Sequence, residues 1–278
     1  WKEKYPCVKV DDHRVRGVGM AVTMQGSGIS AIDTASVTIK LNDDGYYTLM
    51  IGATDMGTGC DTILAQMAAE ILNCPMDRIT VDGVDTDHSP FDTGSYASST
   101  TYVTGMAVVK ACTELNEKIA AEGARRLNIH PERAEFDGDK VYDRTNPEIS
   151  ITLDKLAQDL VVGEGTQWLT ATASHCSPTS PPPFMAGFAE VEVDLETGET
   201  KVVDYVGVVD CGTVINKNLA RVQAEGGIAQ GIGMALLEDI NYDPKGQMVN
   251  STFMTYKIPC RTDLPEIRVE FEESYEPN

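Results

Sequence analysis

Two hydrophobic periods alternate along this chain, and the places where one gives way to the other divide it into elements. Residues 36–40 (Ser-Val-Thr-Ile-Lys) and 47–51 are rich in β-branched and aromatic side chains. They flank Asn42-Asp43-Asp44-Gly45, whose Asp-Gly suits a tight turn, so a hairpin is predicted. From Asp61 to Leu72 the period lengthens. Ile63, Leu64, Met67, Ala68, Ile71 and Leu72 form one helical stripe, with Asp61 or Thr62 near its start. A short strand at residues 78–81 leads into a polar loop, 85–95. A second helix, from about Thr100 to Arg126, then turns Ala107, Val108, Ala111, Leu115 and Ile119 to one side.

Residues 163–183 are rich in Thr, Ser, Gly and Pro and include Pro181-Pro182-Pro183, the composition of a linker. Beyond them residues 189–195 alternate strictly, and Glu196-Thr197-Gly198-Glu199 turns into a second strand at 202–209. Residues 218–239 have helical character despite Gly226, Gly227, Gly231 and Gly233. Each glycine there costs roughly 1 kcal/mol against Ala, which predicts something packed closely on the helix backbone. Residues 265–272 read as a last strand. A hairpin-then-helix order thus occurs in both halves, and the expected fold is α+β, two similar lobes of mixed sheets with packed helices. The expected division is 1–165 and 166–278. The last residues, Tyr275-Glu276-Pro277-Asn278, do not resemble a natural terminus, so the chain is expected to be a piece of a longer protein.

Composition narrows the function classes. At 278 residues, 42% hydrophobic and 23% charged, the chain suits a folded globular protein. A net charge of −21 opposes binding to nucleic acid or anionic membranes. No stretch approaches the ~18 apolar residues that span a bilayer, and the opening Trp-Lys-Glu-Lys-Tyr-Pro lacks a signal-peptide core, so a cytoplasmic location is expected. Cys7, Cys60, Cys74, Cys112, Cys176, Cys211 and Cys260 are scattered without a Cys-x-x-Cys. That argues against disulfides, a zinc ribbon and an iron–sulfur cluster, and most are expected to be buried thiols. His13, His88, His130 and His175 show no metal-like spacing.

Three segments offer chemistry. In Thr54-Asp55-Met56-Gly57-Thr58-Gly59-Cys60-Asp61 two glycines sit between strand and helix, either as a plain tight turn or as a place where backbone N–H groups approach a polar ligand. The loop Asp92-Thr93-Gly94-Ser95-Tyr96-Ala97-Ser98-Ser99-Thr100-Thr101 holds more hydroxyls than one helix cap needs, which favours an oxygen-rich ligand. Gln223 and Gln230 share a face of the glycine-bearing helix, suited to a planar hydrogen-bonding group or to another helix. Cys60 is read as a small buried hydrophobe, and no catalytic residue or metal ligand is assigned.

Taken in order, these segments resemble the molybdenum-binding subunit of xanthine dehydrogenase and aldehyde oxidase type hydroxylases. The resemblance lies in residues 55–59, 94–105 and 189–200, in Val209-Asp210-Cys211-Gly212 with Asn216, in the Gln-x-Glu-Gly helix 223–233, and in Thr255-Tyr256-Lys257-Ile258-Pro259. It implies the molybdopterin-binding fold of that family. The implied cofactor is molybdopterin, or molybdopterin cytosine dinucleotide, carrying molybdenum on its own dithiolene, with the protein supplying hydrogen bonds. By the same resemblance Gly57, Thr58 and Gly59 line the cofactor, and Ser95, Tyr96, Ala97, Ser98 and Thr100 contact its pterin or nucleotide part. Tyr96 and Ala97 come nearest metal and substrate, and Gln223 sits near the metal.

Two positions depart from the family. Thr58 stands where a glutamine is usual, and Ser99 where many members have arginine. The family's glutamate base, in a segment of the type Gly-Ala-Lys-Gly-x-Gly-Glu, has no match and is expected beyond Asn278. Iron–sulfur clusters and flavin are expected on other domains or subunits. The resemblance therefore implies a hydroxylase acting on a purine, another N-heterocycle or an aldehyde, with the chain inactive alone. A carbon monoxide dehydrogenase-like member and a noncatalytic lobe of the same fold are the alternatives.

Overall fold

The computed structural model describes residues 7–162 and 165–275. Residues 1–6, 163–164 and 276–278 lie outside the described residues, and with them the opening segment, part of the expected linker and the last three residues. Two compact units are present: Gly26–Pro181, and a second that joins the chain up to Gln25 to the chain from Pro182 onward.

In the Gly26–Pro181 unit, β3 (Thr34–Leu41) and β4 (Tyr47–Ile51) form the expected antiparallel hairpin; β1 (Val8–Lys9) and β2 (Arg14–Met24) precede it in the chain. Gly45, with φ +81°, makes the turn. Helix α1 (Cys60–Leu72) crosses over to β5 (Ile79–Gly83), which pairs parallel to β4. Helix α2 (Gly105–Leu127) is preceded by a wide π turn, Thr100–Thr104. A meander of β6 (Ala134–Phe136), β7 (Lys140–Asp143) and β8 (Asn146–Thr152) then leads into α3 (Leu153–Val161). The meander and α3 fall in stretches for which no pattern was recognised in the sequence. Strand β9 (Thr170–Cys176) pairs with β3 and completes a sheet of order β5-β4-β3-β9.

Strand β9 corrects the reading of residues 163–183 as linker. Its Thr-Ala-Thr-Ala-Ser run is poor in bulky apolar residues, yet it alternates. Ala171 joins the core while Thr172 and Ser174 pair hydroxyl to hydroxyl with Thr38 and Ser36, each at 2.8 Å. The core of this unit lies between the sheet and the two long helices, where Ile39, Leu49, Leu64, Leu115 and Ile119 are fully buried.

The other unit repeats the plan. Strands β10 (Phe184–Asp194) and β11 (Thr200–Asp210) form the expected hairpin, α4 (Lys217–Leu236) follows, and β12 (Ile267–Glu272) pairs parallel to β11. The fourth strand is β2, antiparallel to β10 along its whole length, with β1 at the edge. The order β12-β11-β10-β2 thus matches β5-β4-β3-β9 strand for strand and direction for direction. The similarity expected of the two lobes resides in this topology. Residues 7–25, expected with the first lobe, pair instead with the strands that follow Pro182. The apolar core here is smaller, centred on Val202, Ile228, Ile232 and Val269.

The cysteines differ from expectation. Cys60 and Cys112 are buried and Cys74 is half-buried, whereas Cys7, Cys176, Cys211 and Cys260 are exposed, because they lie in loops or at strand ends. Among the described residues no helix is long and apolar enough to cross a membrane.

Packing is close where α2 crosses β7. A Cβ built on Gly123 would lie 2.6 Å from Val141 Cβ and Cγ1, well inside contact distance. Replacing Gly123 by Ala should therefore destabilise the fold by about 1–3 kcal/mol, although Ala is the better helix former. A urea denaturation midpoint that rises in the variant would contradict this packing.

Candidate functional site

The turn after β4 stands at the carboxyl end of a strand that a helix joins to a parallel neighbour, a position where open α/β sheets commonly bind ligands. Asp55 organises it. Its Oδ1 accepts from Gly57 N at 2.9 Å and from Gly59 N at 3.1 Å, which folds Gly57-Thr58-Gly59 over the start of α1. Gly57 (φ +101°) and Gly59 (φ +77°) are both left-handed, so these positions call for glycine. Nothing lies within 4 Å of a Cβ built on Gly57, and Thr58 is half-buried. Burial pushes the Asp55 pKa up, but the N–H groups of Gly57, Gly59, Asp61 and Thr58 outweigh it and hold the carboxyl below its ordinary value.

The second segment uses the same Asp-x-Gly device. Asp92 Oδ1 accepts from Gly94 N at 2.8 Å, and its Oδ2 accepts from Thr104 Oγ1 at 3.0 Å, so one carboxylate joins the start of the loop to the π turn that leads into α2. Between these points Ala97 (φ 50°) and Ser98 (φ 56°) are left-handed without being glycine. Ser99 is buried, and its hydroxyl donates back to Gly94 O at 3.3 Å. The expected cofactor contacts Ser95, Tyr96, Ala97, Ser98 and Thr100 follow one another along this loop and into the π turn. No side chain caps the start of that turn.

The two segments meet. Ser95 Oγ donates to Thr54 O at 3.4 Å, and Gly52 lies so close to the incoming chain that an added Cβ would sit 2.8 Å from Asp92 Cβ. Gly57, Thr58 and Gly59 are therefore gathered with the residues of the second loop in one unit. Gln223 belongs to the other unit, on an exposed face of α4 with Gly226, Gly227, Gln230 and Gly231. A Cβ at any of these three glycines would meet nothing within 4 Å. Close packing on the helix backbone is found only at Gly233, where Pro259 Cδ would lie at 2.6 Å. A third Asp-x-Gly turn precedes α4, Asp210 Oδ1 accepting from Gly212 N at 3.2 Å.

Sequence reasoning passed over the supports of the second loop. Asp92 carried a signal in its Asp-x-Gly spacing. Asp33 carried none: its carboxylate is 0% exposed and accepts from Tyr96 OH, some sixty residues away in sequence. Among the described residues Asp55, Cys60 and Asp61 alone cluster as a His/Cys/Asp/Glu group compact enough for a metal. Its chemistry is unfavourable. Burial pushes the Cys60 thiol up to about 11, and Asp55 is already occupied by backbone N–H groups, so Cys60 keeps its reading as a buried small residue.

Because the Asp55 carboxyl is depressed in the folded state, the stability it contributes is present above the unfolded value near 4 and is lost as pH falls through the folded value. Asp55→Ala should cost about 1 kcal/mol at pH 7. The gap between variant and parent should close below about pH 4, as read from urea midpoints across pH.

Comparison with known proteins places this geometry in context. The model of the family described as molybdopterin cofactor-binding domain matches residues 1–265. A probable hypoxanthine oxidase, XdhD, of Escherichia coli strain K12 is 37% identical over 249 residues, 90% of this chain and 26% of that protein. The putative xanthine dehydrogenase molybdenum-binding subunit XdhA of the same strain is 33% identical, with 99% of this chain aligned to 38% of its own length. The chain thus spans between about a quarter and two-fifths of these relatives. The crystal structure of quinoline 2-oxidoreductase from Pseudomonas putida 86 superposes with a TM-score of 0.84 at 28% identity, over 95% of this chain and 36% of that one.

Proposed function

Because the chain belongs to the molybdopterin cofactor-binding domain family, we propose that it forms part of a molybdenum-dependent hydroxylase or dehydrogenase. The complete enzyme inserts water-derived oxygen into a purine, another N-heterocycle or an aldehyde. The observation that carries this reading is the meeting of two remote segments, residues 54–60 and 92–104, at the carboxyl end of β4. The donors there fit the cofactor. They are hydroxyls, backbone N–H groups and an uncapped π turn rather than a thiolate or imidazole cluster, which suits a metal carried on its own dithiolene.

In this reading Gly57, Thr58 and Gly59, whose N–H groups Asp55 holds, line the cofactor, and Ser95, Ser98 and Thr100 contact its pterin or nucleotide part. Tyr96 and Ala97 lie nearest the reacting end, and Gln223 contributes an amide. When bound, the molybdenum centre supplies the two-electron oxidation; the residues of this chain orient the cofactor and shape the space beside it. Asp33, Asp55 and Asp92 each accept two hydrogen bonds that hold the loops in shape, and in this reading the base is the glutamate of a Gly-rich segment that this chain does not contain. Buried Ser99, its hydroxyl turned to Gly94, brings no charge to this loop, in keeping with a substrate that needs no ionic partner. Iron–sulfur and flavin centres on other domains or subunits accept the electrons, and the assembly works in the cytoplasm.

Elemental analysis and pterin fluorescence after oxidation, on the purified complete protein, should find about one molybdenum and one pterin per copy. Absence of both, in cells that make other molybdoenzymes, would instead support a noncatalytic lobe of the same fold. The 278-residue chain alone should show no turnover of xanthine, hypoxanthine or aldehydes.

A further inference from the structure

Asp33 is the one fully buried carboxylate beside the second loop, and it is held by two donors. Ile29 N reaches Oδ2 at 2.8 Å, and the Tyr96 hydroxyl reaches Oδ1 at 2.9 Å. A carboxylate without water is costly unless such bonds satisfy it, so the Tyr96 hydrogen bond is one the fold can ill afford to lose. The strain lies on the other side of that bond. Ala97 and Ser98, next after Tyr96, occupy the left-handed region, which is strained for residues other than glycine, and such residues persist only where their surroundings hold them.

The surroundings that hold them start from the same short segment as Asp33. Gly28 N donates to Ala97 O at 2.7 Å, and Ser180 Oγ fixes Gly28 from behind by donating to its carbonyl at 2.6 Å. Gly28 is itself left-handed (φ +76°), and a Cβ there would meet Val103 at 3.2 Å and Asp33 Oδ2 at 3.4 Å. Residues 28–33, closed by Ile32 N and Asp33 N donating to Ile29 O, thus form a bracket that grips the loop at two points, the Ala97 carbonyl and the Tyr96 phenol.

We infer that Asp33 is a positioning residue for the cofactor loop: it tethers the Tyr96 phenol, and through it sets the left-handed Ala97–Ser98 pair that faces the cofactor. This inference rests on the reading of that loop as cofactor contact. It also assigns Tyr96 a role. With its hydroxyl committed to Asp33, which raises the phenol's pKa, Tyr96 is an anchor and not a proton donor to substrate.

The test uses two variants that remove the bond from either end, Tyr96→Phe and Asp33→Asn, and their combination. Tyr96→Phe removes only the hydroxyl and so survives any folding defect of the Asp33 variant. In the complete protein, hydrogen exchange at Gly28 N–H, whose acceptor is Ala97 O, should speed up about tenfold or more in each single variant. The double variant should add little, and exchange at core β3 amides such as Ile39 should stay unchanged. A merely structural loss would speed Gly28 and Ile39 alike. In the complete molybdoenzyme, pterin should be lost on gel filtration about tenfold faster from each variant. Unchanged Gly28 exchange, or additive effects, would overturn the tether; coupled exchange with unchanged pterin retention would overturn the cofactor reading of the loop instead.

Discussion

A strand can lie parallel to the one before it only if the chain travels back along the sheet between them, and in this molecule helices make that return twice, α1 from β4 to β5 and α4 before β12. Much of the site follows from that requirement. The helix must begin where the first strand ends, so a turn with outward-pointing N–H groups is forced onto the carboxyl edge of the sheet. Glycines at 57 and 59 let the backbone make that turn, and Asp55 satisfies its N–H groups from within. An Asp-x-Gly turn, Asp210 with Gly212, also lies upstream of α4, but that helix is entered through Asn216, whose side chain accepts from Leu219 N at 3.1 Å. The two units therefore share a strand order but enter their helices differently, one through glycine and the other through an asparagine cap.

Carboxylates govern the loop geometry without carrying out chemistry themselves. Asp55 and Asp92 act within their own loops, over two to twelve residues, while Asp33 acts across the unit. Each accepts two hydrogen bonds, which is what allows acidic groups to lie partly or wholly out of water. This division of labour accounts for a site that is rich in acidic residues nearby yet offers hydroxyls and amides to a ligand.

The units differ in how much of themselves they bury. The one from Gly26 to Pro181 sandwiches a large aliphatic core between its sheet and helices. The other rests on a few residues of α4 against its sheet and leaves Gln223, Gln230 and three helix glycines exposed. Glycine at these three positions is not needed for packing inside the chain, because a methyl group would fit at each. Their cost to the helix is offset by nothing within this unit, consistent with a face shaped for a group outside it.

Local pattern was enough to determine both hairpins, helices α1, α2 and α4 and the last strand, and to single out the segments around Gly57, Ser95 and Gln223 as candidates, because each is set by side-chain period, turn residues or glycine over a dozen or so neighbours. What only the tertiary structure decided is how the sheets are completed and how the second loop is held. Strands β9 and β2 each close a sheet against a partner more than a hundred residues away. Strand β9 is thin in bulky apolar residues, alternating Thr and Ala, and the valines and methionines of β2 are half-buried or exposed and join no core. Such strands are stabilised by a partner already in place, so their local propensity says little. Asp33 is the same case at the scale of one side chain. Nothing around it distinguishes it from a solvated aspartate until the fold brings Tyr96 to within 2.9 Å.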